Sequence, residues 1–97
     1  MGREIRITYL KGAVKFLKKN PQLLTESDVD KLVIRFVRKR FFGEEVNVDY
    51  KQLSGELKEY YRIRKGAVRI IVRVVDETII IEAIVENIGF RGDIYKM

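Results

Sequence analysis

Apolar residues recur along the chain with two different periods, and the changes between them divide it into elements. From Glu4 to Tyr9 the spacing is two: Ile5 and Ile7 share one face, Arg6 and Thr8 the other, the pattern of a half-buried strand. At Leu10 the period lengthens. Leu10, Ala13, Val14 and Leu17 make a helical stripe, with Lys11, Lys15, Lys18 and Lys19 largely off it. Asn20-Pro21 ends this helix, because a residue that precedes proline is disfavoured in the α region. Thr25 or Ser27 can cap a second helix, with Asp28 and Asp30 near its positive end and Val29, Leu32, Val33, Phe36 and Val37 on its apolar face. That helix should fail near Phe41-Phe42-Gly43. Two helices joined by so short a turn form an αα-hairpin.

Glu44 to Gly55 reads as a polar, irregular connection anchored by Val46, Val48 and Leu53. Period two then returns. Tyr61 and Ile63 alternate with Arg62 and Arg64, and Lys65-Gly66 makes a tight turn. Val68, Ile70, Val72 and Val74 alternate with Arg69, Ile71 and Arg73, and Asp76-Glu77 turns again. Thr78 to Asn87 forms a further strand, with Ile79, Ile81, Ala83 and Val85 opposite Ile80, Glu82, Ile84 and Glu86. Connections of a few residues make these strands an antiparallel meander. The expected architecture is α+β in the order β-α-α-β-β-β. The two-helix hairpin packs on one face of a small antiparallel sheet, and the other face is left to solvent or a ligand.

Composition narrows the chemistry. A length of 97 residues suits a single domain over 1–97. There is no cysteine and no histidine, so a disulfide framework, a thiolate metal site and the commonest general base are all missing. No metal or cofactor is expected, and any catalysis must use Lys, Arg, Tyr, Asp or Glu. No apolar run approaches the roughly 20 residues of a membrane-spanning helix. Met1 to Arg6 leads into a strand instead of an apolar signal segment, so a cytoplasmic location is expected. A net charge of +6 and a pI near 9.7 favour anionic partners.

The charge is concentrated. Between Leu57 and Val75 there are six basic residues, Lys58, Arg62, Arg64, Lys65, Arg69 and Arg73, against one acid, Glu59. Arg62 and Arg64 share a face of one strand, Arg69 and Arg73 a face of the next. Four guanidiniums brought together on an exposed face would suit phosphate oxygens, with Lys58 and Lys65 as further contacts to RNA. The alternative is a set of solvent-facing charges that guard strand edges, or a salt-bridge ladder with Glu82 and Glu86. Tyr61 belongs with the core and Tyr60 can face the other way. Tyr95, two residues from the end, is placed to stack on a base or donate to a phosphate.

The residues Leu53-Ser54-Gly55, Tyr61-Arg62-Ile63-Arg64-Lys65-Gly66, Arg69-Ile70-Ile71, the isoleucine-rich strand and the closing Gly89-Phe90-Arg91-Gly92-Asp93-Ile94-Tyr95 follow one another in a familiar order. With Ala13-Val14-Lys15-Phe16-Leu17-Lys18-Lys19 as first helix, nearly the whole chain resembles the RelE/ParE superfamily of type II toxins. In its RelE-like members this implies a ribosome-dependent endoribonuclease, in which a ribose 2′-hydroxyl of messenger RNA attacks the adjacent phosphate without a metal. By position, Arg62 and Arg64 would hold the scissile phosphate region, Arg69 and Arg91 would stabilise developing charge, and Tyr95 would orient the nucleotide or assist proton transfer. The implied partners are a cognate antitoxin, messenger RNA and ribosomal RNA. The sequence departs from the family pattern in two places. Some members carry lysines where Arg62 and Arg64 stand, and many carry a basic residue where Phe90 stands. Arginine can hardly give up its proton, so Lys58, Lys65, Glu56 and Glu82 are the remaining substitutes for a general base. A gyrase-inhibiting toxin and a non-catalytic member that binds RNA or an antitoxin share the fold, and fold alone does not choose among the three.

Overall fold

In the computed structural model, which describes residues 4–76 and 80–90, the elements are β1 (Glu4–Tyr9), α1 (Lys11–Lys19), α2 (Glu26–Phe41), β2 (Asp49–Gln52), β3 (Tyr60–Lys65), β4 (Val68–Asp76) and β5 (Ile80–Phe90). The strands form a five-stranded sheet in the order β1-β5-β4-β3-β2. From β2 to β5 each strand is antiparallel to the next, as short connections require. β1 instead runs parallel to β5 and closes the other edge. The α+β architecture with its helical hairpin is as the periodicity predicts; the parallel edge and the extra strand β2 are not.

β2 lies within the segment expected to be a loop. Its sequence is Asp49-Tyr50-Lys51-Gln52, of which only Tyr50 is even half-buried. An edge strand pairs on one side only, and polar residues keep its open side from recruiting another chain, so it carries no apolar alternation to detect. β5 also runs past the expected end at Asn87. A bulge in its pairing with β4 leaves Glu86 as the extra residue, since Val72 pairs with Val85 but Ile71 pairs with Asn87. The phase therefore shifts by one, and Ile88 returns to the core where a strict alternation would have put Asn87.

One sheet face is covered by the helices. Ala13 of α1 and Val29, Val33, Phe36 and Val37 of α2 are buried against Tyr61 and Ile63 of β3, Ile70 and Val72 of β4, and Ile81, Ala83 and Val85 of β5. Tyr9, at the end of β1, ties strand to helix: its hydroxyl donates to Asp30 Oδ1 at 2.5 Å, with the Glu26 carbonyl oxygen also within 3.1 Å. Burial, and then the hydrogen bond to Asp30, raise this phenol above its ordinary value, so it remains a donor at any working pH. Between β3 and β4 the turn is Gly66-Ala67. Gly66 has φ 58 while Ala67 stays at negative φ, the sign pattern of a type II′ hairpin, which needs glycine at its first central position.

Of the two possible caps for α2, Thr25 is the one used. Asp28 N–H donates to Thr25 Oγ1 at 3.2 Å and Thr25 N–H donates to Asp28 Oδ2 at 3.0 Å, a reciprocal capping box. Thr25→Ala should lower stability by about 1 kcal/mol in urea denaturation. The bond from the Thr25 backbone holds the Asp28 carboxyl below its ordinary value. A depressed carboxyl contributes stability above its unfolded pKa that is lost as pH falls through the folded one. The difference between wild type and Asp28→Asn should therefore be full at neutral pH and vanish in strong acid.

Candidate nucleic-acid interface

The pairing of β2, β3, β4 and β5 sets the sheet face away from the helices in rows, because partners across a ladder point to the same side. One row is Asp49, Arg64, Arg69 and Gly89; the next is Lys51, Arg62, Ile71 and Asn87. A third is Tyr60, Arg73, Ile84 and, across the β5 to β1 pairing, Thr8. The four arginines singled out in the sequence therefore do share a face. Tyr60, half-buried, joins them, and Tyr61 lies in the core as expected.

This face is less open than a row of free cations would be. Ile71 and Ile84 are buried in it, and Arg69 is only 6% exposed. Each guanidinium has a partner. Arg64 Nε donates to Asp49 Oδ2 at 2.5 Å, and Arg62 Nη2 lies 3.9 Å from the other oxygen of the same carboxylate. Arg73 Nε donates to Glu86 Oε2 at 3.1 Å, which raises its pKa further. Of the glutamate ladder that the sequence allows, the Arg73–Glu86 rung is present among the described residues. Asp49 escapes notice as a partner because it sits on the strand that the sequence does not announce.

Arg69 turns back on its own hairpin. Its Nη1 donates to the carbonyl oxygens of Gly66 at 2.8 Å and Val68 at 3.2 Å. The alternation of β4 places it outside the core, yet its burial ties it to the fold. Arg69→Ala should cost about 1–3 kcal/mol, read as a lower urea midpoint at unchanged slope, because two backbone acceptors, that of Val68 buried, lose a charged donor. Lys65 lies at the end of β3 and lines a hollow against α2 with Lys31 and Arg35, so it is not part of the arginine rows. Lys58 sits exposed in the turn before β3, where its carbonyl accepts from the Gln52 amide at 2.6 Å. Arg91 and Tyr95 lie outside the described residues. Among the described residues no group of side chains could hold a metal ion, and no helix is long and apolar enough to cross a membrane.

In chemical terms the face offers closely spaced guanidiniums, an aromatic ring at Tyr60 and carboxylates at Asp49 and Glu86. Exposed ion pairs such as Arg64–Asp49 are weak, so an incoming phosphate can take the place of the carboxylate.

No family model matches the sequence, and no curated protein matches it. Solved structures share its fold. YafQ from E. coli superposes with a TM-score of 0.62 at 14% identity, over 97% of this chain and 99% of that one. A copper-bound mutant toxin from Helicobacter pylori gives 0.67 at 18% identity, over 93% and 98%. The RelB–RelE antitoxin–toxin complex from Methanococcus jannaschii gives 0.56 at 24% identity, over 91% and 94%. The architecture of this chain is that of the RelE/ParE toxins.

Proposed function

We propose that residues 1–97 form a single toxin domain of a type II toxin–antitoxin pair, acting in the cytoplasm as a metal-independent endoribonuclease on messenger RNA at the ribosome. The observation that carries this reading is the register that sets Tyr60, Arg62, Arg64, Arg69 and Arg73 on one helix-free face of a fold shared with RelE and YafQ. The 2′-hydroxyl attacks the neighbouring phosphorus, the bond to the 5′ oxygen breaks, and a 2′,3′-cyclic phosphate and a 5′-hydroxyl remain. Arg62 and Arg64 hold the phosphate, while Arg69 and Arg91 neutralise the charge that builds on its oxygens. Tyr95 orients the nucleotide, and Lys58, Lys65 and Arg73 add contacts to RNA. The roles of Arg91 and Tyr95 rest on the sequence resemblance alone. An antitoxin partner is part of the reading, supported by the RelB–RelE and DinJ–YafQ complexes among the neighbours.

Induced expression followed by primer extension on a translated message tests it. Cuts phased with codons are expected. Intact messages together with inhibited DNA supercoiling would point to a gyrase poison instead. A second reading, a non-catalytic member that binds RNA or an antitoxin, is favoured by the carboxylate or carbonyl partner found for each of Arg62, Arg64, Arg69 and Arg73. It predicts neither effect, with tight binding to a small acidic protein encoded beside this chain.

A further inference from the structure

We infer that the hollow between α2 and the β3–β4 turn is a second anion site, which takes the phosphodiester backbone of structured RNA. It is separate from the arginine rows and does not depend on their having any catalytic role. About 140 Å³ in volume, it is lined by Lys31, Leu32 and Arg35 of α2, by Asp28 and by Lys65 from the end of β3. Three cations thus face one carboxylate.

That carboxylate is already engaged: Asp28 Oδ2 accepts the Thr25 N–H at 3.0 Å in the helix cap. Lys31 and Lys65 act on it through space, yet among the described residues neither they nor Arg35 close an ion pair. Each arginine of the sheet face has a partner within the chain, whereas these cations close no ion pair among the described residues. Lys31 and Arg35 stand four residues apart on one helix face, where like charges oppose each other, and Lys65 is brought to them from a different element. An anion in the hollow relieves that repulsion. Arg38 continues the same face one turn on, so the basic stripe runs roughly 10 Å along the helix at 1.5 Å per residue.

The lining also says which anion chemistry fits. It has one aliphatic side chain, Leu32, and no ring on which an unpaired base could stack. Point charges without stacking or base-edge donors recognise backbone, not sequence, and a duplex presents phosphates without unstacked bases. Lys11, Lys15 and Lys19 of α1 are also exposed and carry the same total charge, so they serve as the comparison.

The test uses the whole chain and a short blunt-ended RNA duplex, with binding followed by fluorescence anisotropy over a range of salt. Replacing Lys31, Arg35 and Lys65 together by alanine should reduce the slope of log K against log salt by about 2–3, because each phosphate left without its cation removes roughly 0.7–0.9 from that slope. The control replaces Lys11, Lys15 and Lys19 by alanine, removes the same charge, and should reduce it by less than about 1. All three side chains of the hollow are exposed, and a circular dichroism melt confirms that each variant is folded. Equal losses in both triple variants would mean that net charge alone binds RNA, and the site would be withdrawn. Stronger binding of polyglutamate than of the duplex, lost in the first triple variant only, would reassign the hollow to an acidic protein and overturn the inference. Because no cleavage is read, failure of the endoribonuclease reading leaves this result unaffected.

Discussion

Phe36→Ala should remove about 3–5 kcal/mol of folding stability, the cost of deleting a large ring from a site that collapses only in part. Phe36 is fully buried in the middle of α2 and is the hub of an aromatic cluster. Its ring centroid lies 4.9 Å from that of Tyr61, 5.1 Å from Tyr50 and 6.1 Å from Phe41. Such tilted and edge-on contacts add to the burial itself, by about 0.5–1.5 kcal/mol each. A chain of this length has a net stability of about 5–15 kcal/mol, so the loss would take up much of it. Urea denaturation at 25 °C measures it. Tyr61→Phe, which keeps the ring, should lose under about 1.5 kcal/mol in the same titration. A cost below about 1 kcal/mol for Phe36→Ala would mean that the cluster is not packed as described. The effect should also be uneven. β2 touches the core chiefly through Tyr50, so its hydrogen exchange should rise before that of β4, which is paired on both sides.

What can be read from the sequence, and what cannot, follows from how each element is stabilised. α2 announces itself because an apolar stripe, a candidate capping residue at Thr25 or Ser27 and a glycine-bearing stop all agree. The β3–β4 hairpin does so because Arg62, Arg64, Arg69 and Arg73 alternate with buried Tyr61, Ile63, Ile70 and Val72. That alternation also places the arginines on a common face. β2 is invisible for the opposite reason: its pairing is made by backbone groups, and Asp49, Lys51 and Gln52 carry no burial signal. The missing strand hides the acid that neutralises Arg62 and Arg64, so a face that reads as open cations is closer to a set of ion pairs. The Glu86 bulge is hidden too, because one inserted residue changes the phase of a strand without changing its composition. Lys65 adjoins Arg64 in sequence and reads as part of the same cluster, whereas the end of the strand turns it towards α2.

Asp49 gives the second large effect its sign. Its two carboxylate oxygens meet Arg64 at 2.5 Å and Arg62 at 3.9 Å, which is how a phosphate would be gripped by the same pair. The side chains of Arg64 and Asp49 are 50% and 44% exposed, so their pairing is worth only about 0.2–1 kcal/mol. Under the proposed reading Asp49 competes with the substrate, and Asp49→Asn should tighten binding of a non-cleavable RNA by up to about fivefold, the equivalent of 1 kcal/mol. Arg62→Ala with Arg64→Ala should do the reverse and lower cleavage by about 10²–10³-fold, as removal of donors to a developing oxyanion does elsewhere. Both variants should keep the wild-type melting profile to within a few degrees, since Asp49 lies on the edge strand β2 and neither arginine belongs to the apolar core. Steady-state cleavage, RNA anisotropy and growth arrest on induction are the readouts. The two signs are what make the test informative. If Asp49→Asn weakens RNA binding as the double arginine variant does, the carboxylate is holding the arginines in place for the substrate and is not displaced by it. If neither variant changes binding or growth, the phosphate is not gripped on this face.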